Sequence, residues 1–220
     1  MRKRRHLIMD VSSILKACYF AGKDKEFGFE VLHNERPVWV NGWQHGRESF
    51  MNYMHAALRD LDARPMDVIF VLEGAHGTTI RRNMYSGYKQ REDRHPDQIS
   101  QYNLLESWLQ AYFSRMGSTF VKQDGLEADD VFAYLCKNLK GEIVGLINDG
   151  DGLALMDGER VKIRYQSKIA AADENPLGPF PFEFNRLYKA IVGDKSDTLP
   201  GAKGVGEAGF LDLYVACEED

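Results

Sequence analysis

Acidic residues stand at the points of this chain where apolar runs end or where helices begin. The runs LIMD, VIFVLEG, GLEADDVFAYL, IVGLINDGD and AIVGDKSD each contain or end in a carboxylate. The candidates are Asp10, Glu73, Glu127, Asp129, Asp130, Asp149, Asp151, Asp194 and Asp197. In an open α/β sheet the loops that follow the strands meet at one edge, so carboxylates far apart in the sequence can converge there.

Carboxylates that converge on one small site cannot all stay ionised by themselves, because like charges a few ångströms apart raise each other's pKa. Hard divalent cations that prefer oxygen ligands, Mg²⁺ or Mn²⁺, resolve this repulsion. The sequence therefore predicts a metal site that holds more than one ion.

Each acidic motif also has an ordinary structural explanation when it is taken alone. Acids in the first turn of a helix, as in GLEADD, are stabilised by the helix dipole by ~0.3–1 kcal/mol each. The sequence DGD at 149–151 is typical of a turn, and Asp10 could simply help to start a helix. Stabilisation of one helix dipole accounts for only one or two acids, however, and does not explain why four other elements also carry acids at their ends.

An alternating order of strands and helices would position these residues, and this order is typical of a parallel α/β sheet. We expect strands at about 6–11, 66–74, 118–122, 142–147 and 160–165. We expect helices from Ser12 as N-cap, at about 46–62, after Pro96 and at 127–139, and a hairpin within 27–43 that turns at 34–37. A polar connector at 166–181 precedes a last helix and a glycine-rich ending at 193–209.

The overall composition limits the class of protein. A length of 220 residues suits one α/β domain with room for a core. Three widely spaced cysteines without a CxxC pair predict reduced thiols in an intracellular protein, and no apolar run approaches the ~20 residues of a membrane span. The net charge of −5 does not exclude a nucleic-acid partner if the acids are concentrated in a metal site.

Basic residues and glycines are concentrated in the segment 74–96. On a helix, Arg81, Tyr85 and Lys89 would share one face, with Tyr88 beside them. An aromatic and basic stripe of this kind suits an unpaired nucleotide that stacks while its phosphate is neutralised. The alternative is a solvated surface helix.

The glycine-rich ending reads GDKSDTLPGAKGVGEAG. Asp194 and Asp197 are three residues apart, so they would share a face on a helical turn. The backbone around Gly204 and Gly206 would start another helix, whose free N–H groups could hold a phosphate.

These motifs resemble those of the 5′-nuclease family, which includes flap endonucleases, phage 5′–3′ exonucleases and the 5′-nuclease domain of bacterial DNA polymerase I. The glycine-rich ending is similar to the family's helix–three-turn–helix motif. GLEADD, INDGD and the Asp10 strand resemble its metal-ligand motifs, and RRNMYSGYKQRED resembles its arch-base motif. The resemblance covers about residues 6–217.

The resemblance implies a PIN-like, mostly parallel sheet flanked by helices. It implies a catalytic domain over 1–180, with a helical arch at about 74–96, and a DNA-binding element over 181–220. The chain departs from the family in having Glu73 where Asp is usual; the longer side chain can still reach a cation. Family members also usually continue well beyond this motif, whereas this chain ends at Asp220. We therefore expect either a minimal version or a chain that lacks the C-terminal helical part.

The implied activity is that of a divalent-metal-dependent 5′ nuclease, a flap endonuclease or 5′–3′ exonuclease that uses two metal ions. Its substrate would be DNA with a 5′ flap, an end or a single-strand/duplex junction, or an RNA–DNA hybrid at a primer. We expect an intracellular, monomeric protein of replication or repair with no membrane partner, and the resemblance to phage exonucleases leaves a phage origin open.

By the same resemblance, the first ion would be held by Asp10, Glu73, Glu127, Asp129 and Asp149. The second would be held by Asp151, Asp194 and Asp197, with Asp130 between the two groups. Arg81 and Lys89 would act as catalytic clamps on the phosphate. The DNA contacts would come from Arg82, Tyr85, Tyr88, Lys195, Lys203, Gly204 and Gly206, and K⁺ could bind at this last motif.

Three other functions remain open from the residues alone. A PIN-type ribonuclease shares the acidic cluster, and a catalytically inactive DNA-binding relative could keep the acids for stability. A carboxylate-based phosphatase is disfavoured, because Asp10-Val11-Ser12 lacks the second Asp expected after an Asp nucleophile.

Overall fold

The computed structural model describes residues 5–90, 93–157, 159–165, 168–169, 175–195 and 197–218. Its strands are β1 (Arg5–Asp10), β2 (Phe29–His33), β3 (Arg36–Val40), β4 (Val68–Leu72), β5 (Thr119–Lys122), β6 (Glu142–Leu146), β7 (Val161–Tyr165), β8 (Lys168–Ile169), β9 (Gly193–Asp194) and β10 (Leu199–Pro200). Its α-helices are α1 (Val11–Phe20), α2 (Trp43–Asp60), α3 (Thr79–Met84), α4 (Pro96–Arg115), α5 (Ala128–Asn138), α6 (Asn185–Val192) and α7 (Glu207–Glu218).

The central sheet has the strand order β5-β4-β1-β6-β7-β8, and β8 is antiparallel to its neighbour β7. The other five strands are parallel, as the apolar runs predict. The chain builds outward from β1 to β4 and β5, and then returns to place β6 on the other side of β1. A crevice therefore opens between the carboxyl ends of β1 and β6, which is where open α/β sheets bind their ligands.

Two apolar layers cover the sheet. Leu7 and Met9 of β1 point into the layer that α1, α2 and α4 complete, and Ile8 points into the layer that α5 completes. This alternation follows from the two-residue period of a strand. Burial of both faces holds β1 rigidly in register, so that the residue at its end has a fixed position.

A smaller apolar cluster joins the C-terminal helices. Tyr188 of α6 and Phe210 of α7 pack against Phe180, and their ring centroids are 5.1–5.3 Å apart. Phe180 lies on the N-terminal side of the predicted domain boundary at 180/181, and that boundary remains a prediction, as does the helix–three-turn–helix assignment.

The predicted fold class is confirmed, but three local expectations are wrong. The first helix starts at Val11 with Asp10 as its N-cap, rather than at Ser12. In the predicted arch, α3 ends at Met84; Tyr85 is extended and Lys89 has a φ of 49°, so no helical stripe links Arg81 to Lys89.

The third error concerns the glycine-rich ending, where Asp194 and Asp197 do not share a helical turn. Asp194 is the last residue of β9, which pairs antiparallel with β10, and Asp197 lies in the turn between these strands.

The described residues leave out part of the predicted arch (91–92), part of the connector (166–167 and 170–174) and Ser196. Within the described ranges, no helix is both long and apolar enough to cross a bilayer.

Candidate functional site

The crevice between β1 and β6 is lined by Asp10 and Asp149. Asp10 is 3% exposed, and its Oδ1 accepts a hydrogen bond from Ser13 N at 3.2 Å, which fixes it at the start of α1. Asp149 follows β6 and accepts from Asp151 N at 3.2 Å. Burial raises the pKa of Asp10; the Ser13 bond opposes this, while the charges of Glu73 and Asp149 add to it. These carboxylates therefore repel one another across the crevice.

Asp129, in the first turn of α5, belongs to the same group. The pKa of Asp129 is raised to about 8. Burial is the largest cause, the charges of Asp10 and Asp151 act in the same direction, and the charge of Lys89 opposes them. A carboxyl group with this pKa is held in a poorly solvated region where negative charge is in excess. This is the electrostatic condition that a bound cation would relieve.

Glu73 follows β4 and connects that strand to α5. Its Oε2 accepts a hydrogen bond from Ala128 N, the first residue of α5, at 3.1 Å. The Glu73 carboxylate thereby lies at the positive end of the α5 helix dipole. Glu73 also contributes to the negative charge around Asp10.

A second group of acids contacts the basic residues of the arch segment. Glu127 is 1% exposed; its carboxylate accepts from Arg81, and Lys89 Nζ lies 3.2 Å from each of its oxygens. Arg81 also donates to Asp130 Oδ1 at 2.7 Å, and Lys89 Nζ lies 3.8 Å from Asp197 Oδ1. Both predicted catalytic cations are thus paired with predicted metal ligands.

A third group consists of Asp151 and Asp194, which meet at a lysine. Lys189 Nζ lies 2.7 Å from Asp151 Oδ1 and 2.6 Å from Asp194 Oδ2. Asp194 Oδ1 also accepts from Asp197 N at 3.2 Å, which shapes the turn between β9 and β10. The turn geometry therefore explains part of the DKSD motif without a ligand.

A cavity of about 500 Å³ opens beside these groups. Its acidic and basic lining residues are Asp129, Asp130, Asp151 and Asp197 with Arg81, Arg186 and Lys189. Apolar side chains such as Phe132 and Leu155 form the rest of its wall. One cavity is thus lined by acids from the first turn of α5, from the loop after β6 and from the β9–β10 turn.

The donor set fits a hard divalent cation, although the side chains are not arranged around one. Among the residues that the structure describes, no three Asp, Glu, His or Cys side chains are placed to hold a metal ion as they stand. Carboxylate oxygens are the ligands that Mg²⁺ and Mn²⁺ prefer. The buried negative charge around Asp10 and Asp129 is the observation that favours such an ion.

The predicted DNA-contacting residues differ in their accessibility. Tyr88 is 3% exposed, so its ring is not available to stack on a nucleotide in this conformation. Tyr85 is 43% exposed. The remaining residues of this set, Arg82, Lys195, Lys203, Gly204 and Gly206, are exposed.

Two residues of the site are not singled out by the sequence motifs. Lys189 lies on α6, outside the acidic runs and five residues before Asp194, which follows the end of the helix, so helical spacing does not indicate their contact. Asn185 is fully buried; its Nδ2 donates to Leu153 O at 2.8 Å, which fixes α6 against the segment after Asp151. A buried asparagine has no sequence signal of its own.

Comparisons with known proteins identify the family of the chain. Residues 5–177 match the family model described as "5'-3' exonuclease, N-terminal resolvase-like domain". The chain belongs to this 5′–3′ exonuclease family. DNA polymerase I of Caldicellulosiruptor bescii is 29% identical over 228 residues, which cover 97% of the chain and 25% of the polymerase. A 5′–3′ exonuclease of Aquifex aeolicus is 31% identical over 149 residues, which cover 65% of the chain and 50% of that protein.

Solved structures of the bacteriophage T5 5′-exonuclease have the same fold as this chain. The zinc-bound form has a TM-score of 0.68 at 17% identity, covering 97% of this chain and 75% of that one. The T5 flap endonuclease in a pseudo-enzyme-product complex with DNA and metal ions has a TM-score of 0.66 at 17% identity, with coverages of 96% and 75%. The chain spans only a quarter to a half of the length of the two curated relatives named above.

Proposed function

We propose that this chain is a divalent-metal-dependent, structure-specific 5′ nuclease. It hydrolyses phosphodiester bonds near the 5′ end of DNA, at flaps, ends or RNA primers. The observation that carries this function is the mutually repelling group of buried Asp10 and partly buried Asp129 and Asp149 at the β1–β6 crevice. An excess of poorly solvated carboxylates at the ligand-binding edge of an α/β sheet favours a bound cation.

The names of the relatives support this function. They are a DNA polymerase I and a 5′–3′ exonuclease, and the T5 structures hold zinc or hold DNA with metal ions. We extend this to Mg²⁺ or Mn²⁺ as the ion, to two ions per site, and to K⁺ at the backbone of 193–206. A monomer acting in replication or repair belongs to the same proposal.

The residues of the site would take distinct roles. Asp10, Asp129 and Asp149 would hold the first ion, with Glu73 supporting α5 behind them. A divalent ion held there would lower the pKa of a water molecule and stabilise negative charge on the phosphate oxygens. Arg81 would turn from Glu127 to the phosphate once that carboxylate has another counter-charge.

The exposed bases and glycines would hold the DNA backbone without reading bases. Arg82, Lys195 and Lys203 would neutralise phosphates, and the backbone around Gly204 and Gly206 would approach the duplex closely. Tyr85, being exposed, is the aromatic residue of the arch segment that can stack on an unpaired base.

The test is cleavage of an end-labelled 5′-flap duplex with Mg²⁺ and with EDTA. We expect Mg²⁺-dependent cleavage near the flap junction or stepwise from the 5′ end, which product lengths will distinguish. Asp129→Ala and Asp149→Ala should each lower the rate by about 10³-fold or more. Glu48→Ala, which removes an exposed acid of α2, should leave the rate unchanged.

A comparison of substrates separates this function from a PIN-type ribonuclease. The same assay with unstructured RNA should give much slower cleavage than with flap DNA. Preference for the RNA would assign the site to a ribonuclease, and Mg²⁺-independent DNA binding without any cleavage would indicate an inactive relative.

A further inference from the structure

The nine predicted acids are neutralised unequally. The acids around the arch contact Arg81 and Lys89, and the pair Asp151 and Asp194 contacts Lys189. By contrast, the carboxylates of Asp10 and Asp149 accept hydrogen bonds from backbone amides. Within the described part of the chain, Asp151 and Asp194 share one lysine at contact distance. For Asp10 and Asp129, the charges of Lys16 and Lys89 only oppose the larger effect of burial, which raises the pKa of each.

Lys189 bridges its two acids with good geometry. Its Nζ lies 2.7 Å from Asp151 and 2.6 Å from Asp194, distances typical of charge-assisted hydrogen bonds. The side chain of Lys189 is 22% exposed and that of Asp194 is 12% exposed, so solvent screens the contacts only in part. Burial lowers the pKa of Lys189, but the hydrogen bonds and charges of both acids outweigh this and raise it, so the amine stays charged.

The position of this lysine is fixed by the fold. Asn185, one helical turn earlier on α6, donates to Leu153 O, and its Oδ1 accepts from Asn175 Nδ2 at 2.6 Å. Tyr188, the residue before Lys189, packs in the C-terminal apolar cluster and holds α6 from another direction. The ammonium group is thus held between the loop after β6 and the β9–β10 hairpin.

An ammonium ion and a divalent cation cannot occupy the same space between two carboxylates. Resting on the function proposed above, we propose that Lys189 is a resident counter-ion at the second metal position. The free protein then binds one divalent ion tightly at Asp10, Asp129 and Asp149. A second ion enters only when Lys189 leaves Asp151 and Asp194, which makes Lys189 a positioning residue that sets the occupancy of the site.

The first experiment counts bound Mn²⁺ in the absence of DNA, by electron paramagnetic resonance and isothermal titration calorimetry on the full chain. Wild type should bind one ion tightly and a second weakly. Lys189→Met, which keeps the length of the side chain but removes its charge, should bind the second ion about tenfold more tightly or better. Equal or weaker binding of the second ion by Lys189→Met would overturn the inference.

Arg186→Met is the matched control on the same helix. Arg186 lines the same cavity, but its Nε donates to the backbone oxygen of Ala154 at 3.2 Å rather than to a carboxylate. Removal of this charge should change the affinity for the second ion less than about threefold. An effect as large as that of Lys189→Met would show a general electrostatic influence and contradict specific displacement.

The second experiment uses the wild-type protein and so does not depend on the folding of a variant. Acetylation of Lys189 by acetic anhydride, followed by mass spectrometry, should rise several-fold when Mg²⁺ is raised to saturate both positions. Lys137, an exposed lysine of α5, should react equally with and without Mg²⁺. Unchanged or reduced labelling of Lys189 at saturating Mg²⁺ would exclude its displacement.

The two proposals fail in different ways. Absence of both Mn²⁺ binding and DNA cleavage in the wild type would refute the nuclease function itself. Metal-dependent cleavage together with two ions bound equally well by wild type and Lys189→Met would keep the nuclease and refute the role of Lys189.

Discussion

The hydroxyl of Tyr88 lies 2.8 Å from Glu127 Oε2 and connects the segment after α3 to the N-cap residue of α5. Both residues are buried, with exposures of 3% and 1%. The hydroxyl oxygen of Tyr88 also lies 3.0 Å from Asp197 Oδ2 in the β9–β10 turn. One tyrosine thus joins three parts of the chain at the wall of the cavity.

Replacement of Tyr88 by Phe should therefore destabilise the protein. The change removes the one buried O–H donor that lies between the carboxylates of Glu127 and Asp197. We expect a loss of about 1–3 kcal/mol in the free energy of unfolding. Urea unfolding monitored by circular dichroism measures it. Tyr85→Phe, which removes the same hydroxyl from an exposed side chain, should change stability by less than about 0.5 kcal/mol. Equal effects of the two changes would show that the hydroxyl of Tyr88 contributes no stability in the folded protein.

The stability of the metal-free protein should depend on the protonation of Asp129. Its pKa is raised from 3.8 to about 8 in the folded state, so the folded protein binds this proton more tightly than the unfolded chain. The favourable contribution is present at low pH and is lost as the pH rises toward about 8.

In EDTA, the free energy of unfolding should consequently fall between pH 5 and pH 8, and Asp129→Asn should reduce this fall. Saturating Mg²⁺ should restore stability at pH 8 in the wild type more than in Asp129→Asn. Urea titrations at the two pH values test this. Identical pH profiles for wild type and variant would exclude Asp129 as the titrating group.

The fold could be predicted because it depends on patterns that the sequence shows directly. Apolar runs in alternation with amphipathic segments predict a parallel sheet, and the end of each run places an acid at the sheet edge. The position of Asp10 at the end of the run LIMD follows from this without any tertiary information. Convergence of loops at one edge is a property of the architecture and does not depend on single side chains.

The pairing of charges could not be predicted in the same way. Whether Arg81 shares a helical face with Lys89 depends on where α3 ends, and Tyr88 is buried because it meets Glu127 and Asp197 from distant segments. Contacts of this kind are set by tertiary packing, which overrides helical spacing. The contact of Lys189 with its two acids belongs to the same class.

Lys89 should matter more for cleavage than for DNA binding. Its Nζ contacts Glu127 and Asp197 inside the site, rather than lying on an outer surface. Lys89→Ala should lower the single-turnover cleavage rate by about 100-fold or more, with a change in DNA affinity of less than about threefold. Fluorescence anisotropy in Ca²⁺ measures the affinity, and quench-flow measures the rate.

Arg82→Ala provides the contrasting variant for this test. Arg82 is exposed, and its guanidinium donates to the backbone oxygen of Lys89 at 3.4 Å. We expect it to weaken DNA binding while the cleavage rate at saturating DNA stays within about threefold of wild type. Equal losses of rate and affinity in Lys89→Ala would assign Lys89 to DNA binding alone.

The β9–β10 hairpin depends on a glycine that packs against α6. A Cβ on Gly201 would overlap the carbonyl oxygens of Ile191 and Val192, which are backbone atoms and cannot rotate away. Gly201→Ala should therefore cost about 3 kcal/mol or more and displace the hairpin from α6, because the overlap is relieved only by moving one segment. Gly209→Ala, inside α7, meets only Val205 Cγ1 at 3.5 Å and should be neutral or stabilising by up to about 1 kcal/mol. Thermal unfolding of both variants measures the difference. Equal melting temperatures would mean that the hairpin does not pack against α6, and that the contact of Gly201 with α6 does not hold Asp194 in place.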